Sequence, residues 1–217
     1  MEYGLIDTIY RSRVTLLNML DARGYNTEPY RRFSPAEIEM MIGDDQVGTA
    51  LRMDLVRREG SGPEKCVVVY RFQKQKSKLA TLMAEIRDDD VPEEYKIVPE
   101  TTEVIVILNE PIVDAFHTLA YQQYKLHKLR IRFFEAKRII TDPSSFVIVP
   151  KHEKIEEEEA RKVMNELYLK AKKQLPIIRF HEDPQARWLG LLPEDVVKIT
   201  RPSPMAGEYI VYRVCRP

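Results

Sequence analysis

The C-terminal third of the sequence constrains the fold most, because strand, helix and turn signals follow one another closely there. Residues 196–201 and 209–214 alternate apolar and polar side chains, which predicts two strands joined by a turn. Asp183 followed by Pro184 is typical of a helix start, and Gly190 is typical of its end. Since elements this short cannot bury their apolar sides alone, we expect one small shared α/β core.

Two longer elements precede this pattern. The apolar run 146–150 predicts a strand. Residues 156–173 predict a helix, because apolar side chains recur at helical spacing between a glutamate-rich start and a lysine-rich end. Those charges complement the helix dipole at both ends. A turn-forming sequence at 142–145 marks the joint with the preceding part of the chain.

The chain before this joint predicts helices mixed with buried strands. Gly24 marks the end of one helix, and Ser34 with Pro35 marks the start of another. Helices are predicted at 6–23, 35–41 and 77–87, strands at 66–72 and 103–108, a turn at 60–63, and one or two helices at 112–138. The predicted fold class is α+β, with a mixed N-terminal α/β domain at 1–141 and a small C-terminal α/β domain at 142–217.

Composition narrows the functional classes. The formal net charge is zero, so the overall charge does not indicate a nucleic-acid partner. Cys66 and Cys215 are far apart, which argues against a disulfide framework or a zinc site and favours a reducing compartment. The sequence shows neither a signal peptide nor a run of roughly 20 apolar residues. We expect a soluble intracellular protein with no membrane partner.

Few residues suggest chemistry. His152 has no second His or Cys nearby, so we interpret it as a hydrogen-bonded histidine at a strand end. The glutamates at 156–159 suit a solvated helix start, and the acids at 88–90 with Glu85 suit a solvated loop. We predict neither a cofactor nor a metal. Glu103, Asp54 and Lys65 could serve a metal-dependent nuclease, which stays a remote alternative because the expected motif is absent.

Basic residues cluster in the N-terminal half. Residues 121–138 carry six Lys and Arg but only one Glu, interleaved with Tyr and Phe, and a second cluster lies at 71–78. Such clusters attract phosphates without reading base sequence. The alternative is a solvated helix face whose aromatic side chains lie in the core.

An ordered set of C-terminal motifs resembles one known family. The motifs are Val149-Pro150-Lys151-His152, Gln174-Leu175-Pro176, Asp183-Pro184, Leu189-Gly190, Val196-Val197-Lys198-Ile199, Arg201-Pro202-Ser203, Ala206-Gly207 and Tyr212-Arg213. Together they resemble the assembly domain of an RNA polymerase subunit, which in archaea is a small subunit by itself and in eukaryotes is the C-terminal half of the shared fifth subunit. The N-terminal half is similar at Arg23-Gly24-Tyr25 and Asn109-Glu110-Pro111. Two-domain members occur in eukaryotes and in giant viruses.

The resemblance implies a non-catalytic subunit of a multisubunit DNA-directed RNA polymerase. Its C-terminal domain would dock on the largest subunit, and its N-terminal domain, which has an endonuclease-like outline, would form part of the lower jaw beside downstream double-stranded DNA, with weak and non-specific contacts. A cellular member would act in the nucleus, and a viral one in a cytoplasmic viral factory or virion. The alternative is a polymerase-associated adaptor that recruits other factors.

Two sets of residues follow from this interpretation. The expected partner-interface residues are Pro150, His152, Leu175, Pro176, Asp183, Pro184, Arg187, Gly190, Lys198, Arg201, Tyr209, Tyr212 and Arg213. The expected DNA-proximal residues are Asn109, Pro111, Lys125, Lys128, Arg130 and Arg132.

Overall fold

The computed structural model describes residues 3–43, 48–58, 62–87, 96–205 and 207–217. The chain divides into two compact units, Met1–Thr141 and Asp142–Pro217. Each unit combines helices with a four-stranded sheet, so the predicted α+β class is confirmed. None of the helices in the described ranges is long and apolar enough to cross a membrane.

The sheet of the first unit has the order β1-β2-β3-β4. Its strands are β1 Met53–Val56, β2 Lys65–Arg71, β3 Thr102–Leu108 and β4 Arg130–Glu135. β1 is antiparallel to β2, whereas β2, β3 and β4 are mutually parallel neighbours. Every residue of β3 is buried. A parallel strand that is covered on both faces has a continuous apolar run, and such runs are the reason that the sequence predicted β2 and β3 correctly.

The described part of this unit contains four α-helices: α1 Tyr3–Ala22, α2 Pro35–Ile42, α3 Leu79–Ile86 and α4 Asp114–His127. Gly24 has a φ of 86° after α1, as its predicted helix-ending role requires. Ser34 caps α2: its Oγ accepts the Glu37 N–H at 3.3 Å, and the Glu37 carboxylate accepts the Ser34 N–H at 2.7 Å. The predicted turn at 60–63 and acids at 88–90 lie wholly or partly outside the described residues.

The helical prediction for 112–138 is wrong beyond His127. Lys128 has a φ of 58°, which ends α4, and the chain then enters β4. The four central residues of β4 are all buried, so both faces of this strand are covered. Burial on both faces removes the alternation that identifies a strand, and the arginines made the segment resemble a solvated helix.

The sheet of the second unit has the order β5-β7-β8-β6. Its elements are β5 Lys151–Ile155, α5 Glu157–Glu166, β6 Ile177–Arg179, α6 Pro184–Leu189, β7 Val196–Ser203 and β8 Gly207–Arg216. β7 is antiparallel to β5 and to β8, and β6 is parallel to β8. A hydrophobic cluster joins strands and helix: Ile155, Ala160, Val163, Leu175, Val196 and Val214.

Two sequence predictions in this unit are corrected. The run 146–150 is not a strand: a short 3-10 turn at Pro143–Ser145 precedes it, and Val147 and Ile148 are exposed. The strand begins at Lys151, where pairing with β7 becomes available. α5 ends at Glu166 rather than near 173, because Tyr168 adopts a φ of 55°. The lysines expected in its last turn therefore lie beyond the helix.

Candidate functional site

The candidate site comprises the strand ends, the short helix α6 and the β7–β8 hairpin of the second unit. In α6, the Asp183 carboxylate accepts the N–H groups of Gln185 and Ala186 at 2.8 and 3.2 Å. Pro184 occupies the first turn, and Gly190 ends the helix with a φ of 71°. These three residues therefore do what the sequence predicted for them locally, which is to shape the helix.

At the start of β5, the half-buried His152 is hydrogen-bonded through Nδ1 to the Pro150 carbonyl, at 2.6 Å. The hydrogen bond predicted for His152 is thus confirmed, but the residue lies near the start of β5 rather than at a strand exit as predicted. Its neighbour Lys151 forms an exposed ion pair with Glu153 at 2.7 Å. Because both side chains are exposed to solvent, this pair contributes little to stability.

The segment before β6 places Lys173, Gln174 and Pro176 at the surface, whereas Leu175 between them is buried. Leu175 is 5% exposed and belongs to the unit's own hydrophobic cluster, so it supports the surface from below rather than contacting a partner. Pro176 is exposed, and its carbonyl accepts the Val214 N–H at 2.9 Å. Arg187, on α6, is half-buried.

The β7–β8 hairpin brings several predicted interface residues together. Lys198 lies opposite Tyr212, and Arg201 lies opposite Tyr209. Tyr209 is 60% exposed, whereas Tyr212 packs partly against the hydrophobic cluster. Arg213 donates through Nη1 to the Ile177 carbonyl at 3.1 Å, which ties the hairpin to β6. The hairpin therefore carries both exposed and anchoring side chains.

Sequence reasoning missed the exposed apolar residues of this unit. Phe146 is 50% exposed, and Val147, Ile148, Tyr168 and Met205 are each more than 90% exposed. The apolar character of 146–150 predicts a buried strand, whereas the structure leaves Phe146, Val147 and Ile148 exposed. Single exposed apolar side chains are ordinary, but a contiguous exposed apolar stretch such as 146–148 is typical of an interaction surface.

The basic residues of the first unit differ in their environments. Lys125 and Lys128 are exposed, and the Lys128 ammonium lies 5.5 Å from the centre of the Tyr124 ring. Arg130 is half-buried. Arg132 is only 2% exposed and forms an ion pair with Glu103, so its predicted proximity to DNA is wrong. The pattern of six basic residues did not distinguish the surface ones from the buried one.

The loop after β3 contains the two remaining candidates. Asn109 and Pro111 are both exposed. Glu110 between them turns inward, because its carboxylate accepts the backbone N–H groups of Gln75 and Lys76, at 2.5 and 3.2 Å. This loop is therefore fixed to the segment that follows β2.

Glu103, the carboxylate considered for a nuclease, lies in a buried ion cluster. One oxygen accepts from Arg132 and the other from Arg23, and Glu103 has no exposed surface. Burial opposes ionisation of the carboxyl, but the two arginines outweigh it and hold the pKa of Glu103 below its usual range. Arg57 stacks on the Tyr25 ring beside this cluster, at 4.4 Å.

The other two nuclease candidates do not complete a reactive site with Glu103. Both oxygens of Asp54 accept from the Arg52 guanidinium, at 2.8 and 2.9 Å. Lys65 is exposed, whereas burial raises the pKa of the neighbouring Cys66 thiol. In the described ranges, no group of three or more His, Cys, Asp or Glu side chains is arranged to hold a metal ion.

Comparisons with known proteins concern mainly the second unit. Residues 141–215 match the family described as RNA polymerase Rpb5, C-terminal domain. The DNA-directed RNA polymerase subunit Rpo5 of Metallosphaera sedula is 53% identical over 72 residues, which cover 33% of this chain and 84% of that protein. The subunit Rpo5 of Sulfurisphaera tokodaii is 47% identical over 78 residues, covering 36% of this chain and 90% of that protein.

A eukaryotic relative matches at lower identity and over less of its own length. The DNA-directed RNA polymerases I, II, and III subunit rpabc1 of Dictyostelium discoideum is 38% identical over 88 residues, which cover 41% of this chain and 44% of that protein. These matches confirm the resemblance predicted from the C-terminal motifs. Because the archaeal relatives are covered over most of their length at about half identity, the chain belongs to the Rpo5/Rpb5 family of RNA polymerase subunits.

Proposed function

We propose that this chain is a non-catalytic subunit of a multisubunit DNA-directed RNA polymerase, attached to the largest subunit through residues 142–217. One observation carries the proposal: the family match at 141–215 coincides with the compact unit Asp142–Pro217. The ion pairs that occupy both oxygens of Glu103 support a structural rather than a catalytic role for that carboxylate. In a nucleated cell this subunit would act in the nucleus.

Exposed side chains of the second unit suit attachment. Tyr209 and Arg201 face each other across the β7–β8 hairpin and are both exposed. Tyr and Arg are enriched at the energetic centres of protein interfaces, because they combine large contact area with directional hydrogen bonds. The exposed apolar side chains at 146–148 add surface of the kind that a partner covers.

Purification of the tagged full-length chain from its native source tests the attachment. We expect the large polymerase subunits in equimolar amounts. A substoichiometric chain would favour a recruiting adaptor, and recovery of the chain alone would contradict the proposal. The double variant Tyr209→Ala/Arg201→Ala should lower retention in a salt wash by about tenfold. Tyr209→Phe, which keeps the ring, and Arg161→Ala, an exposed arginine on α5, serve as controls.

For the first unit, we propose a position beside downstream DNA as part of the lower jaw. The exposed Lys125 and Lys128, the half-buried Arg130 and the exposed loop residues Asn109 and Pro111 support it. Contacts of this kind bind phosphates and carry no sequence information.

Neutralising Lys125 and Lys128 tests this position in the assembled enzyme. If both lysines neutralise phosphates, the double variant to Ala should flatten the plot of log binding constant against log salt by about 1–2 units of slope. The control Lys162→Ala/Lys173→Ala removes the same charge from exposed positions in the second unit. Equal slopes for the two double variants would show that Lys125 and Lys128 belong to a solvated helix face.

A further inference from the structure

In the described part of the chain, the outer edge of β8 is paired with another strand over only part of its length. β8 spans Gly207–Arg216 and pairs with β7 along nearly its whole length, from Gly207 to Val214. On its other side, β6 pairs only with Val214, Cys215 and Arg216. Among the described strands, residues 207–213 therefore have a neighbour on one side only.

The backbone groups that face this open side follow from the register. In an antiparallel pair, residues alternate between those that exchange hydrogen bonds with the neighbour and those that point away from it. The Cys215 N–H bonds to the Asp195 carbonyl on the β7 side at 2.8 Å, and the Val214 N–H bonds to Pro176 on the other side. By this alternation, Glu208, Ile210 and Tyr212 present their N–H and C=O groups to the open edge.

These three residues find no substitute partners nearby. In the described part of the chain, none of them forms a backbone hydrogen bond outside the β7–β8 ladder. The segment that could have continued β6 along this edge turns away, because Leu175 is buried in the hydrophobic cluster and residues 172–174 form a 3-10 turn. Within the second unit, the residues that the structure describes thus leave this edge unpaired.

The opposite edge of the same hairpin is protected. β5 pairs with β7 only as far as Thr200, and the next residue of β7 that points outward is Pro202. Proline has no N–H to offer, so it prevents another strand from pairing there. Exposed sheet edges promote aggregation unless they are blocked or covered. The outward positions 208, 210 and 212 of β8 carry no proline, so this edge is open to a pairing strand.

The side chains around the edge indicate the chemistry of such a strand. Tyr209 is 60% and Ile210 is 43% exposed, so both faces of β8 offer apolar surface. Lys198 and Arg201 lie across the hairpin from this edge, and neither forms an ion pair with a residue in the described ranges. Glu208 is the single acid in 207–213. Glu153 of β5 lies opposite Lys198, so the three cations Lys198, Arg201 and Arg213 face two acids, and the local charge is positive and suits carboxylates.

We propose that an extended segment of another polymerase subunit, carrying apolar and acidic side chains, adds a strand to β8 along 208–212 in line with β6. The main-chain hydrogen bonds of such strand addition supply affinity, while the side chains select the partner. This inference rests on the proposed function and names how the attachment is made.

Hydrogen exchange in the assembled polymerase, compared with the free full-length chain, tests it. The amides of Ile210 and Tyr212 should exchange at least about tenfold more slowly in the assembly, whereas those of Tyr209 and Val211 are already held by β7 in both. If the chain is not in a polymerase, the proposed function and this inference both fail. If the chain is in the polymerase and Ile210 and Tyr212 exchange as fast as in the free chain, only this inference fails.

A matched set of variants separates strand addition from simple covering. Ile210→Pro removes the outward N–H and should lower salt-resistant attachment about tenfold below Ile210→Ala, which keeps it. Pro202→Ala on the opposite edge should attach normally. A carbodiimide, which joins lysines to carboxylates in contact, should link Lys198 to an acidic residue of the covering subunit. Equal effects of both Ile210 variants, or links only to a second copy of this chain, would overturn the inference.

Discussion

Glu103 shows how a single buried charge can be stabilised and yet be unavailable for chemistry. An isolated carboxylate without water would become neutral, but here Arg23 and Arg132 each donate to one of its oxygens. Arg23 is itself partly exposed, whereas Arg132 is almost fully buried. Removal of Glu103 would therefore leave two arginines without their shared counter-ion, whereas removal of one arginine would leave the other in place.

The first prediction concerns the loss of this charge. Glu103→Gln should lower the free energy of unfolding of the first unit by about 3–5 kcal/mol, because two arginines would remain without their counter-ion. Denaturant unfolding followed by far-UV circular dichroism measures the change. Asp7→Asn, which breaks an exposed ion pair with Arg11, is the control and should cost less than about 1 kcal/mol. An equal loss of unfolding free energy in both variants would show that the buried cluster stabilises the unit no more than an exposed ion pair does.

A second prediction follows from the lowered pKa of Glu103. Because this pKa is lower in the folded than in the unfolded chain, folding is favoured where the carboxyl is ionised. The contribution is complete above the ordinary carboxyl pKa of about 4.3 and is lost as pH falls through the lower folded-state pKa. The stability difference between wild type and Glu103→Gln should narrow as the solution becomes more acidic. A difference that is constant with pH would contradict the assignment.

The role of Arg132 could not be predicted from the sequence. Its neighbours in the chain are basic and aromatic, and that local pattern favours phosphate binding as much as burial. What decides its role is Glu103, which is 29 positions away along the chain and reaches it only once β3 and β4 pair. The Gly24 and Ser34 roles, in contrast, depend on adjacent residues and were predicted correctly.

At the scale of elements, predictions succeeded where the signal was local. α6 has an N-cap, a proline in its first turn and a glycine at its end, and all three were recognised. β4 failed because burial on both faces conceals its period of two. The strand predicted at 146–150 is wrong because apolar character alone does not make a strand. A strand also needs a neighbour to pair with, and β7 pairs with 151–155 instead.

The cap of α6 gives a third prediction. Asp183→Ala should lower the stability of the second unit by about 1 kcal/mol, because the N–H groups of Gln185 and Ala186 lose their acceptor. Trp188, the chain's single tryptophan, lies in this helix, so its fluorescence during denaturant unfolding reports the change. Asp183→Asn, which can still cap, should retain most of the stability. If Asn and Ala destabilise equally, the cap is not the reason for Asp183.

At the scale of the whole molecule, the two units differ in how much the sequence could say about them. The second unit carries a dense set of motifs, and the family match covers it almost completely. All four strands of its sheet come from this unit: of the described strands, β5, β6, β7 and β8 pair only with one another. The first unit depends on long-range pairs such as Arg23 with Glu103, 80 positions apart, which no short motif records.

The last prediction is that residues 142–217 fold and attach without the first unit. The hydrophobic cluster and all four strands of the second sheet come from this segment alone. About a third of the chain matches 84–90% of the length of two archaeal relatives. We expect cooperative unfolding of the fragment, reported by Trp188, with a stability of about 3–5 kcal/mol, which is usual for so small a core. The tagged fragment should recover the large polymerase subunits, whereas residues 1–141 expressed alone should not. Recovery by 1–141, or an unfolded 142–217, would contradict this division of roles, because attachment would then need contacts that the second unit does not contain.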